Sequence, residues 1–126
     1  MKEGNTTRYI RVNHNASSLH AQLADGRFRG IGGTNRNTWK SLLSRGSLQR
    51  NCNRIGFNNY HDYAHVRIGI IANQENDCNS PDSRIGFGGG GSACGQNSGN
   101  RVGNEARCSA DNGDRSTRTF GYIFVR

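Results

Sequence analysis

Four cysteines, Cys52, Cys78, Cys94 and Cys108, do most to narrow what this chain can become. Leu, Ile, Val and Phe account for only 22 of 126 residues, below the roughly one-fifth at which a chain starts to look disordered. Glycine supplies 18 residues, asparagine 16 and proline one. Such a chain cannot fill a large aliphatic interior and needs covalent or metal staples. An even number of cysteines then reads as two disulfides, and hence as a secreted, extracellular protein. Of the three possible pairings, Cys52–Cys78 with Cys94–Cys108 is preferred because it closes two modest loops. No CxxC pair of zinc-finger spacing occurs. The longest apolar run, Ile68 to Ala72, is far short of the roughly 20 residues a membrane span requires. The length fits a single domain over residues 1–126.

The formal net charge is +8, and its distribution says more than its sum. Residues 1–74 hold 11 Lys and Arg against Glu3, Asp25 and Asp62, whereas residues 75–126 hold six Arg against six acids. Fifteen of the 17 basic residues are arginine, which favours bidentate pairing with carboxylate, sulfate and phosphate. Anionic polysaccharides or bacterial surfaces therefore become eligible partners. Nucleic acid is disfavoured, since there is no basic run and no RNA- or DNA-binding motif. The opening Met1-Lys2-Glu3-Gly4-Asn5 is polar and not leader-like. Asn5-Thr6-Thr7 and Asn15-Ala16-Ser17 are glycosylation sequons.

The local pattern predicts a β-rich α+β fold with long loops. Tyr9 to Asn13 alternates as a strand does, and Ser17 to Leu23 reads as a short helix or turn. Arg29 to Gly33 reads as a glycine-rich connector. Thr38 to Leu48 is the best helix candidate, capped by Asn37 or Thr38 and burying Trp39, Leu42 and Leu43. Asn53 to Tyr60 reads as a strand end and turn. Val66 to Ala72 is the strongest strand, being β-branched, and Arg84 to Phe87 is a second. Ala110 to Arg115 is an acidic turn, and Thr119 to Arg126 a terminal strand. Gly88 to Gly91 lacks the Lys-Ser/Thr of a phosphate loop, and reads either as a flexible turn or as bare backbone that another segment or a ligand approaches closely.

Six of the nine acids lie between Glu75 and Asp114. The segment Asn73-Gln74-Glu75-Asn76-Asp77, continuing through Ser80, Asp82 and Ser83, is dense in side-chain oxygens. Calcium accepts 6–8 oxygen ligands, carboxylate and amide alike, at flexible geometry. Asp111-Asn112-Gly113-Asp114 is a second candidate cluster and Asn104-Glu105 a third. The calcium ligand candidates are thus Asn73, Gln74, Glu75, Asp77, Asp82, Glu105 and Asp114. On a lectin plan, Glu75, Asn76, Asp82 and Asn104 would also hydrogen-bond a sugar, with Tyr60 and His61 of the Tyr60-His61-Asp62-Tyr63-Ala64-His65 cluster rimming the site. That cluster reads more readily as half-buried strand residues that pack against the sheet. A cis Ser80–Pro81 bond is one way to fix the loop.

The stretch from Val66 to Arg126 resembles the C-terminal part of the intelectins, calcium-dependent lectins with a fibrinogen-like fold. An apolar strand leads into Asn73-Gln74-Glu75; a cysteine, an Asn/Asp-rich loop, the four glycines Gly88 to Gly91, Cys94-Gly95 and an apolar end follow. It is also similar to small galactose-binding lectins of the sea anemone type. Ser80-Pro81-Asp82 resembles the Gln-Pro-Asp tripeptide of galactose-type C-type lectins. The resemblance implies a lectin-like domain that uses Asn73 and Glu75 as calcium ligands, with Asp82 and Glu105 or Asp114 as looser ones. No His or Trp follows residue 65, so the family's His ligand and aromatic sugar box have no counterpart.

The expectation is a secreted, non-enzymatic, calcium-dependent lectin for galactose-type sugars, working as a homo-oligomer because single sites are weak. Two alternatives stand beside it. One is a small basic ribonuclease using His61 or His65 with Glu75 or Glu105. The other is a binder of anionic glycans or bacterial surfaces through the arginine-rich surface.

Overall fold

The computed structural model describes all residues, Met1–Arg126. Its centre is a six-stranded antiparallel sheet in which each strand neighbours the next in sequence. The strands are β3 (Arg29–Gly30), β4 (Asn51–Asn59), β5 (Val66–Asn73), β6 (Ser83–Phe87), β7 (Val102–Ala106) and β8 (Arg115–Arg118). A small hairpin of β1 (Lys2–Glu3) and β2 (Thr6–Thr7) stands apart. Two short helices, α1 (Leu19–Leu23) and α2 (Arg36–Lys40), complete a β-rich α+β fold. No helix is long and apolar enough to cross a membrane.

Alternation along the strands sends Phe57, Ile68, Ile70, Ala72 and Ile85 to one face. There they pack with Trp39, Leu42, Leu43 and Leu48 into the main core. Helix α2 opens at Asn35, whose side chain accepts from the Thr38 N–H at 3.0 Å while the Thr38 hydroxyl takes the Asn35 N–H. This capping box places the helix start ahead of the expected Asn37 or Thr38. The helix ends at Lys40 and does not run on to Leu48. Leu42, Leu43 and Leu48 reach the core from the irregular segment after the helix, and Gly46 lies so close to the Lys40 backbone that a Cβ would clash with it.

A row of glycines crosses the sheet in register, Gly30 beside Gly56, then Gly69, Gly86 and Gly103. A Cβ on Gly56, Gly69, Gly86 or Gly103 would fall less than 3.0 Å from a carbonyl oxygen of the adjacent strand. The row is therefore a crease where neighbouring backbones approach more closely than any side chain permits.

Behind the core, the segment from Gly88 to Arg101 folds back over the sheet's second face. Gly88 rests on the Arg67 side chain, Gly89 on Arg84, Gly90 on the His65 ring and Gly91 on Tyr63 and Ala64 backbone. The glycine run is close backbone packing in this structure. Cys94 is tied to Cys108, and its N–H donates to Asp82 Oδ1 at 2.8 Å. Both disulfides, Cys52–Cys78 and Cys94–Cys108, follow the preferred pairing, and they are compatible with an extracellular protein.

Several expectations are corrected. Tyr9 to Asn13 forms no strand, although Ile10 and Val12 pack against the core. Thr119 to Arg126 is not a strand. It makes one bridge, Lys2 to Phe120, and leaves Tyr122 to Val125 exposed. In both segments the alternation is present but the partner is missing. Arg29–Gly30 joins the sheet edge, and Asn51–Asn59 is a nine-residue strand where the sequence suggests only a strand end. No peptide bond is cis, Ser80–Pro81 included.

Candidate functional site

The candidate ligands lie mostly at one end of the sheet, where β5 passes into β6 and β7 into β8. Asn73 is fully buried, and its amide is consumed in shaping the loop. Its Oδ1 accepts the Gln74 N–H at 2.9 Å, while Nδ2 donates to the Asp77 carbonyl and the Ser80 hydroxyl. Asp77 Oδ1 takes the Asn79 N–H at 3.0 Å. Glu75, Asn76, Asp77 and Asp114 are exposed. Gln74 Oε1 accepts from the buried Gln49 Nε2 at 2.7 Å. Asp82 receives the Cys94 N–H. Glu105 is buried, and its Oε1 pairs with the Arg107 guanidinium at 3.1 Å.

The carboxylates among them do not cluster. Only Asp82, Cys94 and Cys108 bring three His, Cys, Asp or Glu ligand atoms within 4.8 Å of one another. Two of those atoms are disulfide sulfurs, which lack the thiolate charge that metal binding uses. No three carboxylates among the seven named residues lie within 4.8 Å of one another, and Asn73, Asp77, Asp82 and Glu105 each accept a bond from a backbone N–H or from Arg107.

The sugar-contact set is divided as well. Asn104 is buried and structural: Oδ1 accepts the Ser47 N–H at 2.8 Å, and Nδ2 donates to the Ser47 and Arg84 carbonyls. Tyr60 and His61 sit before β5, whereas Glu75 and Asp82 sit after it. Eight strand residues separate the two groups by about 25 Å. Tyr60 stacks on His65 with ring centroids 4.8 Å apart. Burial pulls the His65 imidazole below its ordinary pKa.

A polar cleft does lie at the loop end. It measures about 350 Å³ and is lined by Arg50, Gln74, Ser109, Ala110 and Asp111. Asp111 is its anchor. Oδ2 takes charge-assisted bonds from Arg36 at 2.7 Å and Lys40 at 2.5 Å, and Oδ1 takes the Leu48 N–H at 3.1 Å. Burial pushes this carboxyl up, but the bonds from Lys40, Leu48 and Arg36 together outweigh it and hold the pKa down at about 2. Gln49 organises the floor. Its Nε2 also donates to the Cys108 carbonyl at 2.7 Å, and its Oε1 accepts the Asp82 N–H at 3.1 Å. Sequence reading missed Gln49, Arg50 and Ser109. They are uncharged or lack a motif partner nearby, and only the fold brings positions 49–50 and 108–111 beside Gln74.

On the second face, the cross-strand neighbours Arg84 and Glu105 are 2% and 1% exposed. Arg84 Nη2 donates to the Asn100 carbonyl at 2.8 Å. Burial pulls its guanidinium below the ordinary value and Glu105 opposes this. The returning Gly88 to Arg101 segment thus covers a mixed layer, in which buried Arg84 and Glu105 adjoin a small apolar cluster of Ala64, Val66 and Ile71.

No protein-family model, curated protein or solved structure gives a significant match to this chain.

Proposed function

We propose that the protein is a non-enzymatic carbohydrate-binding protein that takes a sugar directly in the Arg50, Gln74, Ser109 and Asp111 cleft. The observation that supports this reading is the composition of that concavity. A carboxylate anchored by two cations still offers lone pairs to sugar hydroxyls, while a guanidinium, an amide and a hydroxyl beside it offer donors. A volume of about 350 Å³ suits one or two sugar rings. No three of the candidate carboxylates cluster, which favours binding through the protein's own groups. Galactose-type sugars remain the first ligands to try. Secretion and assembly into homo-oligomers belong to the same proposal, since a shallow site of this kind needs several copies for useful avidity.

The test is a glycan panel read by array and calorimetry, with calcium and with chelator. The expected result is binding that survives chelation and weakens at least about tenfold, roughly one good polar contact, in Arg50→Ala and Gln74→Ala. Loss of binding on chelation would reinstate a calcium bridge. Indifference of both variants would remove the cleft from consideration.

A further inference from the structure

The sheet carries a second cleft at its opposite end, of about 340 Å³, between the Gly99 to Val102 and Arg118 to Gly121 segments. Its chemistry differs from that of the first. Two arginines, Arg101 and Arg118, line it, and no acidic residue does. Arg101 Nη1 is steadied by the Gly89 carbonyl at 3.0 Å. The Arg118 side chain makes no salt bridge and no hydrogen bond to the protein. Phe120 presents a ring that is 77% exposed on the same wall.

Asn100, only 3% exposed, belongs to that wall too. Its Nδ2 donates to the Asn104 carbonyl at 2.9 Å and the Thr117 carbonyl at 3.1 Å. The amide orientation is thereby fixed, and Oδ1 is left as a buried acceptor with no donor. Thr119 Oγ1 is buried without a partner as well. A buried hydroxyl with no partner is a need the fold leaves unmet.

We propose that this far cleft binds an acidic saccharide: a carboxylate- or sulfate-bearing sugar with its anion on Arg118 and Arg101, its apolar ring face on Phe120 and a hydroxyl toward Thr119. Unneutralised guanidinium groups pair bidentately with such anions. A nucleic-acid strand is held instead by successive stacking rings along a basic groove, and this cleft offers one ring. The saccharide part rests on the carbohydrate reading above. The anion part stands on the arginines alone.

The experiment measures binding of a glucuronate-containing oligosaccharide, a sulfated one, the matched neutral oligosaccharide and a short single-stranded RNA to the intact protein, Arg118→Gln and Phe120→Ala. Both far-cleft side chains are exposed, and circular dichroism checks that the variants fold. The expected pattern is binding of one or both acidic sugars at least about tenfold tighter than the neutral one. Arg118→Gln should lose most of that preference, and Phe120→Ala should weaken binding several-fold. Equal binding of the neutral sugar, RNA binding as tight as the acidic sugars, or indifference to Arg118→Gln overturns the proposal. Should the near cleft fail its own panel while Arg118-dependent acidic binding persists, the near-cleft assignment falls and this one stands.

Discussion

Asp111 joins three separate parts of the chain through one carboxylate. It draws Arg36 at the start of α2, Lys40 at its end and the Leu48 N–H onto a turn more than sixty residues later. Asp111→Asn keeps the shape but removes the charge from these bonds, and a loss of about 1–3 kcal/mol is expected in urea unfolding. The pH dependence follows from its lowered pKa. The unfolded carboxyl titrates near 3.8 and the folded one near 2. The charged form is therefore favoured in the fold, its contribution is complete above about pH 4, and it is lost as pH falls to about 2. Unfolding midpoints of the native protein and Asp111→Asn should accordingly converge over that window; a gap that persists at pH 2 would assign the stabilisation to packing.

At the scale of elements, the glycine row governs how the strands meet. Gly69→Ala or Gly86→Ala would press a methyl against the facing strand's carbonyl, at an expected cost of about 3 kcal/mol or more. Gly95→Ala meets open space and carries only the left-handed backbone penalty of about 1–2 kcal/mol. Thermal denaturation of the three variants tests the contrast. How much of this was legible follows from what alternation encodes. Ile68, Ile70 and Ile71 mark β5 plainly because β-branched residues suit a pleated surface. The cysteine spacing favoured the pairing the structure has. Alternation names a face but not a partner, which is why Tyr9 to Asn13 and Thr119 to Arg126 read as strands without being strands. Oxygen counting fails at Asn73 for a related reason: a side-chain amide is equally able to bind an ion or to close its own loop, and position 73 does the second. Gln49 and Arg50 had no local signal at all, since their neighbours in the cleft are 24 or more positions away.

For the whole molecule, the two disulfides stand in for an aliphatic interior that the composition does not provide. They close spans of 26 and 14 positions, each expected to contribute about 2–4 kcal/mol. Replacing Cys52 and Cys78 together by Ala, or Cys94 and Cys108 together, should lower the unfolding free energy by that amount in chemical denaturation. The second pair does something the first does not. The ribbon from Gly88 to Arg101 lies over Arg84, Glu105 and the small Ala64, Val66 and Ile71 cluster, held by backbone contact, buried Ala93, a few polar bonds and the Cys94 tether. A reducing milieu would make that ribbon a flap. Water would then reach charges now sealed beneath it, and limited proteolysis with and without reductant is expected to cut at Arg101 earlier in the reduced protein.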